Sequence, residues 1–379
     1  MYSCSKLSFK RLSSSLAFKR APFYEVFPSK KLVNRLLFEM DSKLTFSKLY
    51  PVYESVYNSL DVGHTERCFP VSFKGEDVMM MKKVLEKLRH RTKSVNRNLR
   101  DLENELLENA AELGDNDAIS VLSFNVITNS DKNTPEDVSH AQKLIKSLYQ
   151  MHHPLTIKLT ADFAFASEDF SNAEKYYKLF LDSEKDTYRA GEVNGQLGKI
   201  SFKKPDLKEA EKYFLESIRL CPLEQVVQSY YHLAQLYMDS EPVKARCLME
   251  SAASEGFKES FQLLGFLEMN YFQNLQKALQ WFKLGMELFD FECFIGYFDC
   301  CMKLKSFQKA KNCLKSMQKL SETNEVSKES FQIFVNSRHD QINSLALYSK
   351  NVVADTSLFL HADRTTTDSP IEKESRWNL

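Results

Sequence analysis

The sequence predicts an all-α protein, a right-handed α-solenoid of helical-hairpin repeats, on three observations. Ala173, Ala210, Ala245, Ala278 and Ala310 recur at spacings of 37, 35, 33 and 32 residues, each opening a similar amphipathic block. Self-similarity near 34 residues marks stacked two-helix units, each too small to bury its apolar face alone. Gly and Pro are scarce, at 10 each in 379 residues, while Phe (28) and Tyr (16) are abundant. Few breakers and many large apolar side chains favour helices. Small residues also follow leucine at Leu197-Gly198, Leu233-Ala234 and Leu264-Gly265, where two helices must approach closely.

The chain opens with an address. Residues 1–24 carry Lys6, Lys10, Arg11, Lys19 and Arg20, six serines and no acid before Glu25. Leu7, Phe9, Leu12 and Leu16 could line one face of a short helix. Basic, Ser-rich, acid-free and amphipathic is the composition of a mitochondrial presequence; the alternative is a disordered basic tail. A cut somewhere after Arg20 would leave a mature chain with a net charge of about −5. No window of 18 apolar residues occurs, so membrane contact would be peripheral.

Residues 25–100 read as an N-terminal helical region. Leu32, Leu36, Leu37 and Met40 have helical spacing, and Pro51 should break or start a helix among Tyr50, Tyr53 and Tyr57. Residues 61–75 read as a loop and 76–113 as one long helix. The array is expected over 101–320. Its early edge is the string Ala110-Ala111-x-x-Gly114, which returns as Ala252-Ala253-x-x-Gly256. Thr134-Pro135 is a good helix start. His152-His153-Pro154 reads as a helix boundary, since adjacent helical residues diverge and chelate poorly. Residues 321–352 supply a candidate capping helix (Phe331, Phe334, Val335, Ile342, Leu345). The polar tail 353–379 reads as disordered.

The repeats are clearest from residue 190. Leu197-Gly198 is followed by Ala210, Phe214, Ser217 and Pro222, and this unit resembles the tetratricopeptide repeat position by position. Leu233-Ala234-x-x-Tyr237 with Ala245 is one residue short. Lys244-Ala245 to Leu263-Leu264-Gly265, and Lys277-Ala278-Leu279-Gln280-Trp281-Phe282, resemble the related SEL-one-like repeat. Ile295-Gly296 and Lys309-Ala310 close the series. The resemblance implies an array that binds other chains.

Chemistry-bearing motifs are absent. There is no Gly-x-Gly-x-x-Gly, P-loop, Gly-x-Ser-x-Gly or His-Glu-x-x-His, so no enzyme and no cofactor are expected. The eight cysteines lack Cys-x-x-Cys spacing, so no metal is expected; they read as reduced, buried thiols. Lys plus Arg and Asp plus Glu both count 51, which excludes a global polyanion-binding surface.

Two surfaces remain. Lys82, Lys83, Lys87, Arg89, Arg91, Lys93, Arg97 and Arg100 stand against Glu86 alone. They form either a solvated face or a site for anionic lipid or RNA phosphate; without interleaved aromatics, base stacking is not indicated. By the tetratricopeptide resemblance, the first helix of each pair lines a concave groove carrying Lys199, Phe202, Gln228, Tyr231, Gln235, Met238, Gln262 and Phe266. That mix suits an extended peptide or simple packing between repeats.

The layout of address, helical repeats and basic segment resembles one yeast family. Its members are peripheral, matrix-side inner-membrane factors for export of the C-terminal tail of cytochrome oxidase subunit 2. The resemblance implies a non-enzymatic mitochondrial scaffold in cytochrome c oxidase assembly, whose partners are a membrane subunit or the insertion machinery. The alternative is an organellar RNA-binding repeat protein acting on a mitochondrial transcript. Against it, the Leu-Gly signals step by 36, 31 and 31 rather than holding to 35.

Overall fold

A computed structural model describes residues 20–62, 69–70, 73–323 and 325–345, and every regular element among them is helical. The chain divides into two compact units, Met1–Lys185 and Asp186–Leu379. The fold class is the expected one: all-α, with helical hairpins stacked side by side. The array expected over 101–320 contributes to both units.

Unit 1 begins with a single helical turn, α1 (Phe23–Val26), then α2 (Lys30–Glu39) and α3 (Phe46–Val62). Three hairpins follow. They pair α4 (Gly75–Thr92) with α5 (Arg97–Glu112), α6 (Asn116–Thr128) with α7 (Pro135–Gln150), and α8 (Pro154–Ala166) with α9 (Phe170–Ser183). Phe23, Phe27, Leu36, Leu49, Tyr53, Met81, Leu85, Leu102 and Leu106 belong to one buried cluster. Tyr53 is fully buried, and its hydroxyl donates to the Met81 carbonyl at 2.8 Å, so its polar end is satisfied.

The segment before α2 is part of this core. Phe23 lies 4.7 Å from Phe27, 5.2 Å from Tyr50 and 5.4 Å from Tyr57, centroid to centroid. Phe27 packs 4.9 Å from Tyr53. The Tyr57 hydroxyl donates to the Ala21 carbonyl at 2.8 Å, and Arg20 pairs with Asp101 at 3.0 Å. Residues 1–19 of the expected presequence and residues 346–379 lie outside the described residues.

Two expectations need correction. The stretch 76–113 is not one helix. It breaks after Thr92, where Lys93 takes a left-handed φ of 49° and the Asn96 side chain accepts from the Asn98 N–H to start α5. A four-residue turn without Gly or Pro gives little sequence signal, because the break is made by a cap rather than a breaker. Pro51 neither starts nor ends α3; it sits inside the helix. It forfeits one backbone hydrogen bond near the start of a 17-residue helix that core burial holds in place.

Unit 2 contains α10 (Tyr188–Lys203) paired with α11 (Leu207–Leu220) and α12 (Val227–Tyr237) with α13 (Pro242–Ser254). It continues with α14 (Lys258–Asn270) paired with α15 (Leu275–Glu287), α16 (Phe291–Lys303) with α17 (Phe307–Ser321), and α18 (Glu325–Ser337). The last helix packs on α16 and α17. It falls in the stretch expected to cap the array.

The five recurring alanines are all fully buried, and each is the fourth residue of a second helix, on α9, α11, α13, α15 or α17. A methyl added at Gly198 would stand 2.6 Å from the Phe214 ring. The fully buried Phe282 of α15 is flanked twice. A Cβ at Gly265 or at Gly296 would come within 2.3 Å of its ring. The small residue after leucine therefore seats the large ring of a second helix.

The turns repeat too. Gly114 and Gly256 hold φ of 83° and 80°, and the Asp115 and Phe257 N–H groups reach back to the Ala110 and Ala252 carbonyls. The recurring Ala-Ala-x-x-Gly string is thus one helix stop used twice, a Schellman turn. Gly256, Gln273, Phe289 and Lys305 all have positive φ at steps of 17, 16 and 16 residues, which sets the 32- to 33-residue period of this region. Asp115, Thr134, Asp169, Thr187, Asp206 and Asn274 each accept a backbone N–H at the next helix start. His152-His153-Pro154 is such a boundary: His152 is left-handed at φ 54° and Pro154 opens α8.

Candidate functional site

In unit 2 first helices touch across hairpins at three of four junctions: α10 meets α12, α14 meets α16, and α16 meets α18, whereas α12 and α14 make no comparable contact. The second helices α11, α13, α15 and α17 make no comparable contacts with one another. The resemblance to tetratricopeptide repeats assigns these first helices to an inner face. All eight residues expected on the groove lie on α10, α12 or α14, or at the end of α12, and seven are half-buried; Gln228 is exposed.

Six of the eight are linked to their neighbours. The Lys199 ammonium of α10 donates to the Gln228 side-chain oxygen of α12. Gln235 donates to the Tyr231 hydroxyl at 3.3 Å, and Tyr231 lies 4.9 Å from Phe257. Phe202 packs over the small core of Ala210, Phe214 and Leu233. Phe266 meets Phe282 edge-on at 5.1 Å, so it serves the core rather than the open face. Met238 closes the end of α12, and Gln262 lies half-buried on α14.

The repeat pattern did not single out His232, which sits at the centre of this face. Its ring is 5.4 Å from Phe202, 5.6 Å from Phe214 and 5.3 Å from Tyr231, and Nδ1 pairs with the Gln235 side-chain oxygen at 3.0 Å. The available signal was its position beside Tyr231, one turn before Gln235. Burial lowers its pKa, and the Lys199 charge adds to that, while the Gln235 bond opposes it. Burial alone lowers the pKa of Lys199. The face thus holds a half-desolvated ammonium bonded to a neutral amide, beside an imidazole held neutral.

The His232 shift has a testable sign. A folded pKa below the unfolded value of about 6.5 means that the unfolded chain takes up the proton first. Stability should therefore fall as pH drops through about 6.5, and His232→Gln should flatten that fall. Urea midpoints of both chains at pH 7.5, 6.5 and 5.5 would measure it; parallel slopes would refute a buried neutral imidazole.

In unit 1 the basic segment is largely neutralised in place. Lys82 pairs with Glu86 at 2.6 Å, Lys83 with Asp117 at 3.0 Å, and Arg89 with the buried Glu103 at 3.0 Å. Arg91 and Lys87 both reach Glu39, at 3.0 and 3.6 Å. The Arg91 hydrogen bond is the main cause that holds the Glu39 carboxyl below its usual pKa. Three of the acids come from elsewhere in the fold, invisible to local charge counting. Lys93, Arg97 and Arg100 remain exposed at the α4–α5 turn, beside Val95, which is 96% exposed.

Among the described residues, no group of three or more His, Cys, Asp and Glu side chains could hold a metal, and no helix is long and apolar enough to cross a membrane. Burial pushes the Cys300 and Cys313 thiols up to about 12 and Cys221 up to about 11, which suppresses the reactive thiolate. Cys247 is exposed.

This is the architecture of a helical-hairpin repeat protein of the tetratricopeptide type. Residues 19–115 match the family described as the MSS2 N-terminal domain. Over 331 residues the chain is 44% identical to "Protein MSS2, mitochondrial" of Saccharomyces cerevisiae, covering 85% of this chain and 94% of that protein. The chain belongs to the MSS2 family and is a mitochondrial helical-repeat protein. Among solved structures it is similar to PilW, a type IV pilus biogenesis factor, at 14% identity and a TM-score of 0.43, over 57% of this chain and 97% of that one. It is also similar to Pseudomonas aeruginosa PilF, at 12% identity and a TM-score of 0.46, over 57% and 96%.

Proposed function

We propose that this protein is a non-enzymatic scaffold on the matrix side of the mitochondrial inner membrane. It acts in the assembly of cytochrome c oxidase by holding the C-terminal tail of subunit 2, or the machinery that inserts it. The observation that carries this reading is the inner face of unit 2. A half-buried Lys199 bonds a neutral amide there, among half-buried Phe202, Tyr231 and Gln235. Such a face suits an extended peptide bearing a carboxylate, since a charge-assisted bond would replace a neutral one. The exposed turn with Lys93, Val95, Arg97 and Arg100 would give peripheral contact with anionic lipid.

Crosslinked co-purification from isolated mitochondria tests the partner. Recovery of subunit 2 or its insertion machinery supports the proposal; recovery of transcripts without a respiratory subunit overturns it in favour of RNA binding. Lys199→Glu should weaken capture about tenfold, roughly 1.4 kcal/mol, while the thermal midpoint stays close to that of the parent chain. Unchanged capture would remove Lys199 from the site. Carbonate extraction tests the attachment. Failure of the untreated protein to sediment with membranes would refute the lipid contact.

A further inference from the structure

We propose that import processing cuts this chain no later than the Arg20–Ala21 bond, and that residues 21–27 stay with the mature protein as the plug of unit 1. The composition of residues 1–24 alone would place the cut after Arg20, as late as Tyr24. The fold moves that limit. Phe23, Val26 and Phe27 are buried, Phe23 at 5% exposure, within a ring cluster built by Phe46, Tyr50, Tyr53 and Tyr57. A cut after Tyr24 would remove Phe23 from that cluster. It would also remove the Ala21 carbonyl that accepts from the Tyr57 hydroxyl at 2.8 Å. A vacated ring site would be left in the core, which a folded domain tolerates poorly.

Two further observations agree. All five basic residues of the address, Lys6, Lys10, Arg11, Lys19 and Arg20, lie upstream of this limit. The fifth, Arg20, is already engaged by the fold through Asp101 at 3.0 Å. The similarity to the MSS2 N-terminal domain begins at residue 19, upstream of Phe23, rather than at residue 25. The step is hydrolysis of one peptide bond by a presequence-cutting endopeptidase. Water supplies the hydroxyl of the new carboxylate and a proton to the new amine.

The test is import of the full-length precursor into isolated yeast mitochondria, with the N-terminal peptide of the product read by mass spectrometry. The expected first residue lies between 2 and 21, with 22–27 intact. A first residue at 22 or later, or retention of Met1, overturns the proposal. A second measurement separates the cut from the plug. Phe23→Ala precursor should be cut at the same bond, and its product should be degraded several-fold faster in the matrix. Equal lifetimes would show that residues 21–27 are dispensable to the fold and would overturn the plug.

Discussion

Phe282→Ala should destabilise unit 2 by about 4 kcal/mol. The ring is fully buried on the second helix of its hairpin, and two first helices close over it through Gly265 and Gly296. Neither glycine leaves a side chain able to swing into the vacated space, so collapse should be limited and the cavity cost high. The reverse change is informative too. Gly265→Ala places a methyl 2.3 Å from the ring and should cost about 1–3 kcal/mol by overpacking. In the Phe282→Ala background the same methyl enters empty space and should be tolerated. The two substitutions should therefore couple by about 1–2 kcal/mol. Fluorescence of Trp281, the neighbouring residue, follows unit 2 in urea. A loss below 1 kcal/mol, or additive behaviour of the pair, would refute the ring-in-glycine-seat account.

Phe23→Ala should cost unit 1 about 3 kcal/mol. A helix of four residues has no stability of its own, since a single turn does not repay the cost of nucleation. Its order rests on the ring contacts of Phe23 and Phe27 with α3. Loss of one ring should therefore release the whole segment 20–27 and expose the Tyr57 hydroxyl. Hydrogen exchange of α3 amides would detect it, with protection falling most around Tyr53 and Tyr57. Unchanged protection there would show that α1 decorates the unit rather than plugging it.

The repeat architecture was legible because its signals are local. Ala210, Ala245, Ala278 and Ala310 mark the fourth residue of their helices, and Leu197-Gly198 and Leu264-Gly265 mark seats for rings one helix later. Caps such as Thr134 and stops such as Gly256 were readable for the same reason. What escaped was long-range or chemically plain. Glu39, Glu103 and Asp117 neutralise the basic segment from other helices, up to 52 residues away. The helix break at Lys93 uses a residue type with no turn preference. His232 lies on the predicted face, but its importance comes from three rings and an amide that only packing brings together. Phe23 was read as part of a removable address because composition cannot report burial.

The inner seam of unit 2 also has a mechanical side. First helices brace one another at α10–α12, α14–α16 and α16–α18, where the second helices stand apart, so those stretches are stiff on one edge and compliant on the other. Bending that narrows the groove must compress packed side chains such as Phe202 against His232; bending that widens it strains only the connecting turns. A peptide laid along the seam would act as a strut across the hairpins and resist that widening. Tension applied through such a peptide would be carried by the stiff edge, a geometry suited to holding a chain under pull.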